Sequence, residues 1–177
     1  DEMSHPTNWT VSESIRFLEK RDRDKPFFLM TSFVRPHPPL DAPKNYQDLY
    51  LHRDLSTPAM GDWENFEKEA AAVGPMYDSA YGTADPELKR QAMAGYYACI
   101  THMDHQIGRL IQALYREQVL EDTVILFVSD HGELLFDHGL FRKVQPFEGS
   151  VRIPFLMRVG KHLTGLPQVP VCSDLVE

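Results

Sequence analysis

The chain has 177 residues, 42% of them hydrophobic and 25% charged, the proportions of an ordinary globular domain with a real core. Its 18 basic and 26 acidic residues leave a formal charge of −8, which argues against a general binder of nucleic acid or of anionic membrane surfaces. No apolar run approaches the ~20 residues that span a bilayer, and Cys99 and Cys172 have neither CxxC spacing nor a Cys/His cluster around them, so no zinc site or disulfide framework is indicated. The opening Asp1-Glu2-Met3 is polar and acidic and reads as no signal peptide. Without an initiator Met, and ending in SDLVE, residues 1–177 read as a single partial domain, a piece of a longer protein whose compartment the start does not reveal.

In chain order, Thr10 or Ser12 is placed to cap a helix running to about Arg21, with Ile15, Phe17 and Leu18 as its apolar side. Asn8-Trp9-Thr10 fits the glycosylation acceptor pattern, a short and weak match. Asp22–Lys25 is a charged turn. Pro26–Phe33 reads as a strand buried on both faces, with proline at the first position, where a missing N–H is tolerated. Val34–Pro43 is a loop stiffened by four prolines, so His37 is held rather than mobile, directly after a strand. Asn45–Tyr81 is less regular, and Tyr46, Leu49, Tyr50, Trp63 and Phe66 either cover the core or line a cleft. Asp85 as N-cap and Pro86 as first residue open the longest helix, to about Gln118. Its apolar stripe runs through Met93, Tyr97, Ile100, Ile107 and Leu114. Cys99 reads as buried packing, Gly108 as a point of close approach to the sheet, and His102, Asp104 and His105 as a polar seam or solvated face.

Thr123–Lys143, TVILFVSDHGELLFDHGLFRK, is the stretch on which the rest is organised. Val124–Val128 is an unbroken β-branched and aromatic run, the pattern of a strand covered on both faces. Asp130-His131-Gly132 follows at its carboxyl end, where open α/β sheets bind ligands. There Asp130 and His131 look like two adjacent metal ligands. His138, Arg142 and Lys143 bring positive charge towards the same place. Val151–Met157 reads as a further strand with Pro154 marking an edge or bulge, Lys161–Gln168 as a loop and Val169–Val171 as the start of one more strand. Strands joined by long helical segments imply an α/β fold, a mostly parallel or mixed sheet with helices on its faces.

Three blocks carry a resemblance: SDHGELLFDHGLFRK with PFEGSVRIPFLMR behind it, KPFFLMTSFVRPHPPLDAP followed by Tyr46, and YYACITHMDHQIGRLIQAL. Together they resemble the C-terminal half of the catalytic domain of a sulfatase, in the alkaline-phosphatase superfamily. The resemblance implies an alkaline-phosphatase-like fold, Asp130 and His131 as metal ligands, Lys143 as the lysine contacting the sulfate and helping the leaving oxygen, and His37 as a second contact to that group. The physical logic agrees, because a metal and fixed cations stabilise the charge that gathers on a sulfuryl centre. Neither Cys99 nor Cys172 heads the Cys-x-Pro-x-Arg motif that matures to formylglycine in that family, and the paired aspartates completing its metal site are also missing. Both are expected upstream.

The function this implies is sulfuric-ester hydrolysis, with this chain a fragment lacking the nucleophile. A phosphonate monoester or phosphodiester hydrolase of the same superfamily is the alternative, tilted against by the FEGSVR run, and a non-catalytic structural or binding fragment is a third. Calcium is the implied metal, with manganese the alternative, since calcium prefers oxygen ligands and His131 does not supply one. A sulfated carbohydrate as substrate, and a periplasmic or secreted location, are expectations of the resemblance alone. The missing N-terminal half of the domain is an expected partner, and the sheet edge left without it is expected to favour self-association.

Overall fold

The computed structural model describes residues 2–61, 86–143 and 145–163. Helix α1, Pro6–Lys20, starts earlier than the Thr10 or Ser12 cap predicts. His5 takes the cap instead: its Nδ1 accepts from the Thr7 amide at 3.2 Å, and Pro6, with no N–H to satisfy, stands first in the helix. Val11, Ser14 and Leu18, at helical spacing, form its buried side. The short α2, Lys44–Gln47, carries Tyr46 into the core. The long helix α3, Pro86–Arg116, is 31 residues, or roughly 46 Å; Asp85, the predicted cap, lies outside the described residues, as do Trp63, Phe66, Cys172 and Val169–Val171.

α3 packs against both α1 and α2. Two apolar clusters result. Leu18 meets Ala113 and Leu114 with Phe27, Leu29 and Ile125 laid against them, and Ala42 and Tyr46 meet Ala98 and Cys99. The far ends of α1 and α3 are tied by Arg21 and Arg23, which share the Glu117 carboxylate at 2.8 and 2.9 Å. The buried face of α3 keeps Met93 and Leu114 from the predicted stripe but is otherwise shifted. Ala94, Gly95, Ala98, Cys99, His102 and Gln106 are buried, while Ile100 is exposed. Small residues win because they let the helix come close: a Cβ on Gly95 would lie 3.0 Å from the Leu40 side chain, whereas one on Gly108 would meet nothing within 4 Å. Of the two readings of His102, polar seam or solvated face, burial removes the second: it is 1% exposed, wedged between the rings of His5 and Tyr46 at 4.7 and 4.8 Å. Cys99 is buried packing, as expected.

Strand β1, Ile125–Val128, lies inside the predicted stretch and pairs antiparallel with β2, Phe155–Arg158, in the register Ile125↔Arg158 and Val128↔Phe155. β2 begins after Pro154, which has no N–H to give a ladder, and Val151 instead ends a short helix α4, Glu148–Val151. Two expectations are corrected. Pro26–Phe33 runs extended but is no strand, because no described segment pairs with it. Its side chains still alternate: Phe27 and Leu29 pack on the helices, while Phe28 is 88% and Met30 76% exposed. β1 alternates likewise, with Leu126 and Val128 exposed, so helices cover one face of both segments and not two. Among the described residues no helix is long and apolar enough to cross a membrane.

Candidate active site

Three hydrogen bonds hold the segment that follows β1. The Ser129 hydroxyl donates to the His131 carbonyl at 2.7 Å, and the His131 amide donates to Asp130 Oδ1 at 3.0 Å. The Gly132 amide donates to the Ser150 carbonyl at 2.7 Å, and a Cβ on Gly132 would collide with the Gly149 carbonyl and sit 3.1 Å from that of Arg152. Glycine is therefore required here by the close approach of α4. The buried Ser150 also donates from Oγ to the Lys143 carbonyl at 3.0 Å, so one residue fastens both the Asp130-His131 turn and the backbone of Lys143.

Between these arms, Glu133 Oε1 accepts from the amides of Leu135 and Arg142, and the Leu134 amide donates to the Arg142 carbonyl at 2.8 Å. That closes residues 133–142 into a loop. His138 is carried away from the turn to stack against Phe147, ring centroids 4.3 Å apart.

On the other side of the site, Arg35 binds Asp41 through both prongs of its guanidinium, at 2.6 and 2.8 Å. His5 Nε2 stands 3.5 Å from the same carboxylate. His37 sits inside this closed loop, its Nδ1 2.9 Å from the Pro38 carbonyl. A carbonyl only accepts, so Nδ1 carries a proton, and in the neutral tautomer Nε2 is the lone-pair nitrogen.

The four residues singled out from the sequence meet at one place. His37, Asp130, His131 and Lys143 all line a cavity of about 380 Å³, together with Tyr96 and Glu133. His138 and Arg142, which the sequence reading sent to the same place, are not in its wall. His131 Nδ1 lies 2.8 Å from the Gly132 carbonyl and carries a proton by the same reasoning as His37, so in the neutral tautomer the lone pair is on Nε2, 3.7 Å from Asp130 Oδ2. Desolvation is the largest influence on Asp130 and raises its pKa. The backbone amides of Asp130 and His131, with the neighbouring His131 ring and Lys143, outweigh it, so the carboxyl titrates below its usual range. An ionised carboxylate beside an imidazole lone pair is a fitting pair of donors for one divalent cation. Among the described residues no group of three or more His, Cys, Asp or Glu completes such a site.

Three residues here escaped the sequence reading. Ser150 lies in the PFEGSVR run, but its two-sided role needs the fold. Tyr96 falls beside the predicted α3 stripe. Glu133 reads as an ordinary loop acid until its two amide donors are seen.

The architecture around this site is that of the alkaline-phosphatase-like α/β hydrolases. The phosphonate monoester hydrolase of Agrobacterium radiobacter superposes with a TM-score of 0.76 at 31% identity, over 90% of this chain and 34% of its own. The family model named Sulfatase matches residues 5–167, and the chain belongs to that family. It is 52% identical over 157 residues to an arylsulfatase of Clostridium perfringens, covering 89% of this chain and 32% of that protein. It is 34% identical over 185 residues to a choline-sulfatase of Rhizobium meliloti, covering 99% and 36%. The chain thus spans about a third of the length of these relatives.

Proposed function

We propose that the intact protein is a sulfuric-ester hydrolase and that the cavity of His37, Asp130, His131 and Lys143 receives the sulfate group of its substrate. The observation that carries this is the meeting of those four residues, His37 from the proline loop and the others from the Thr123–Lys143 stretch, on one cavity wall. In this reading Asp130 and His131 Nε2 hold a divalent cation, calcium or manganese, which when bound supplies charge stabilisation to the sulfuryl oxygens. Lys143 adds a fixed positive charge and protonates or polarises the departing oxygen. His37 contacts the same group from the proline loop. The nucleophile, a formylglycine by resemblance, and the remaining metal ligands come from residues beyond this sequence, and the same part of the protein covers the exposed face of Phe28, Met30, Leu126 and Val128.

Phosphonate monoester hydrolysis is the second reading, favoured by the TM-score of 0.76 to an enzyme of that name. The test is a side-by-side assay of the full-length protein on an aryl sulfate and on an aryl phosphonate monoester, before and after chelation of divalent metal. Chelator-sensitive turnover with preference for the sulfate is the expected result. Preference for the phosphonate would install the second reading, and turnover of neither would remove both.

A further inference from the structure

We propose that Tyr96 is a substrate-contact residue whose hydroxyl donates a hydrogen bond to a non-bridging oxygen of the sulfuryl group. The proposal rests on the sulfatase reading of the cavity and deepens it. Tyr96 lines the same wall as His37, Asp130, His131 and Lys143. Its hydroxyl has no hydrogen-bond partner among the described residues. Other tyrosines packed on the helices are satisfied: Tyr46 donates to Glu2 at 3.2 Å, Tyr50 meets Thr101 at 2.6 Å and Tyr97 meets Ser56 at 2.9 Å. A half-buried phenol left unpartnered beside a cluster of cationic and metal-ligating groups is poised for a ligand oxygen.

Its neighbourhood holds it as a donor. Burial, then the negative charge of Glu133, push the phenol up to about 12, so it keeps its proton throughout the neutral range. No hydrogen bond joins the Tyr96 hydroxyl to Glu133, whose Oε1 accepts the amides of Leu135 and Arg142. The ring is also well placed. Gly95, the preceding residue, abuts Leu40 so closely that a Cβ would touch both its side chain and its carbonyl, at 3.0 and 3.2 Å. That contact fixes α3 against the loop bearing His37, and with it the spacing between Tyr96 and His37.

The experiment uses the full-length protein with Tyr96→Phe, which removes one oxygen and keeps the ring, and with Tyr97→Phe as the neighbouring control. Aryl sulfate kinetics are measured alongside the binding of inorganic sulfate by calorimetry, and melting temperatures verify the fold. In Tyr96→Phe, KM for the ester and Kd for sulfate should rise together by roughly ten-fold, the worth of a hydrogen bond to a charged group, with kcat much less affected. Tyr97→Phe should change neither. Unaltered KM and Kd in Tyr96→Phe would overturn the proposal, and so would a rise in KM without one in Kd, which would move the contact to the alcohol half of the ester. Should the parent turn over no sulfate ester, the sulfatase reading falls by itself. Equal sulfate binding by parent and Tyr96→Phe, or none by either, would then sink the tyrosine contact as well.

Discussion

Arg35 and Asp41 clasp each other across the loop that carries His37, the Arg35 Nε reaching Oδ1 at 2.6 Å and the second prong reaching Oδ2 at 2.8 Å. Arg35 is only 8% exposed, so this pair is largely shielded from water on one side. The Arg35 hydrogen bond, against some desolvation, holds the Asp41 carboxyl below its ordinary range. Arg35→Lys keeps the charge and loses the fork. It should lower stability by roughly 1–3 kcal/mol, visible as a lower denaturation midpoint at unchanged slope. In the full-length protein it should also weaken the ester affinity attributed to His37. A variant as stable as the parent would show that the loop holds itself.

Gly132→Ala is predicted to be severe. The new methyl would enter the Gly149 carbonyl, and neither the β1 turn nor α4 can retreat without breaking the Gly132–Ser150 hydrogen bond. A loss of roughly 2–4 kcal/mol is expected from such overpacking against backbone. Thermal melts of the two proteins decide it.

On the proposed role of Lys143, Lys143→Ala should cut kcat of the full-length protein by roughly 10²–10⁴, since a positive charge there would count most as the leaving oxygen develops. Ser150→Ala should act in the same direction and far more weakly, by releasing the Lys143 backbone from its 3.0 Å tether. Equal losses in both would mean that position, and not charge, is what Lys143 contributes.

Acid should destabilise the domain through His102. Its pKa is pulled down to about 4, by burial first and then by His5 and His105, against the opposing pull of Glu2 and Asp41. The unfolded chain takes up a proton near pH 6.5, the folded chain only near 4. Between these values the unfolded state binds more protons, so stability falls as pH falls, by on the order of 3 kcal/mol in all. Below about pH 4 this contribution is constant. His102→Gln should flatten the pH dependence of the melting temperature across that window, and an unchanged profile would assign the acid sensitivity elsewhere.

The chain by itself should bind calcium weakly and hydrolyse no aryl sulfate. Asp130 and His131 are two donors where calcium takes ~6–8, and the described residues add no third member to the group. Calorimetry showing submicromolar calcium binding, with turnover by the isolated chain, would contradict the proposed dependence on residues outside it.

The site was more legible than the sheet. A strand followed at once by Asp130, His131 and Gly132 is a local pattern, and Lys143 lies close enough in sequence to be brought along by a short loop. His37 follows an extended segment directly, so its placement also came from neighbours in the chain. What escaped the reading depends on contacts distant in sequence. The buried stripe of α3 is set by what presses on it: Leu40 abuts Gly95, and Ala98 packs with Ala42 and Tyr46, while Ile100 is left exposed. Apolar runs such as Phe27–Met30 and Val124–Val128 record that both faces suit an interior, but not whether the described residues supply both covers. His102 looked polar and proved central, because ring packing with His5 and Tyr46 favours the neutral imidazole in the core.

The alternation along residues 27–34 has a consequence for the order in which this architecture is assembled. Phe27 and Leu29 are already seated on the helices, so the phase of the segment is fixed before any strand lies beside it. A one-residue slip would withdraw the Phe27 ring and the Leu29 side chain from that cluster and put Phe28 and Met30 in their place. The helical layer therefore acts as a template. It determines which backbone groups of this segment face a neighbour laid beside it, and a segment already ordered has less conformational entropy left to lose on pairing.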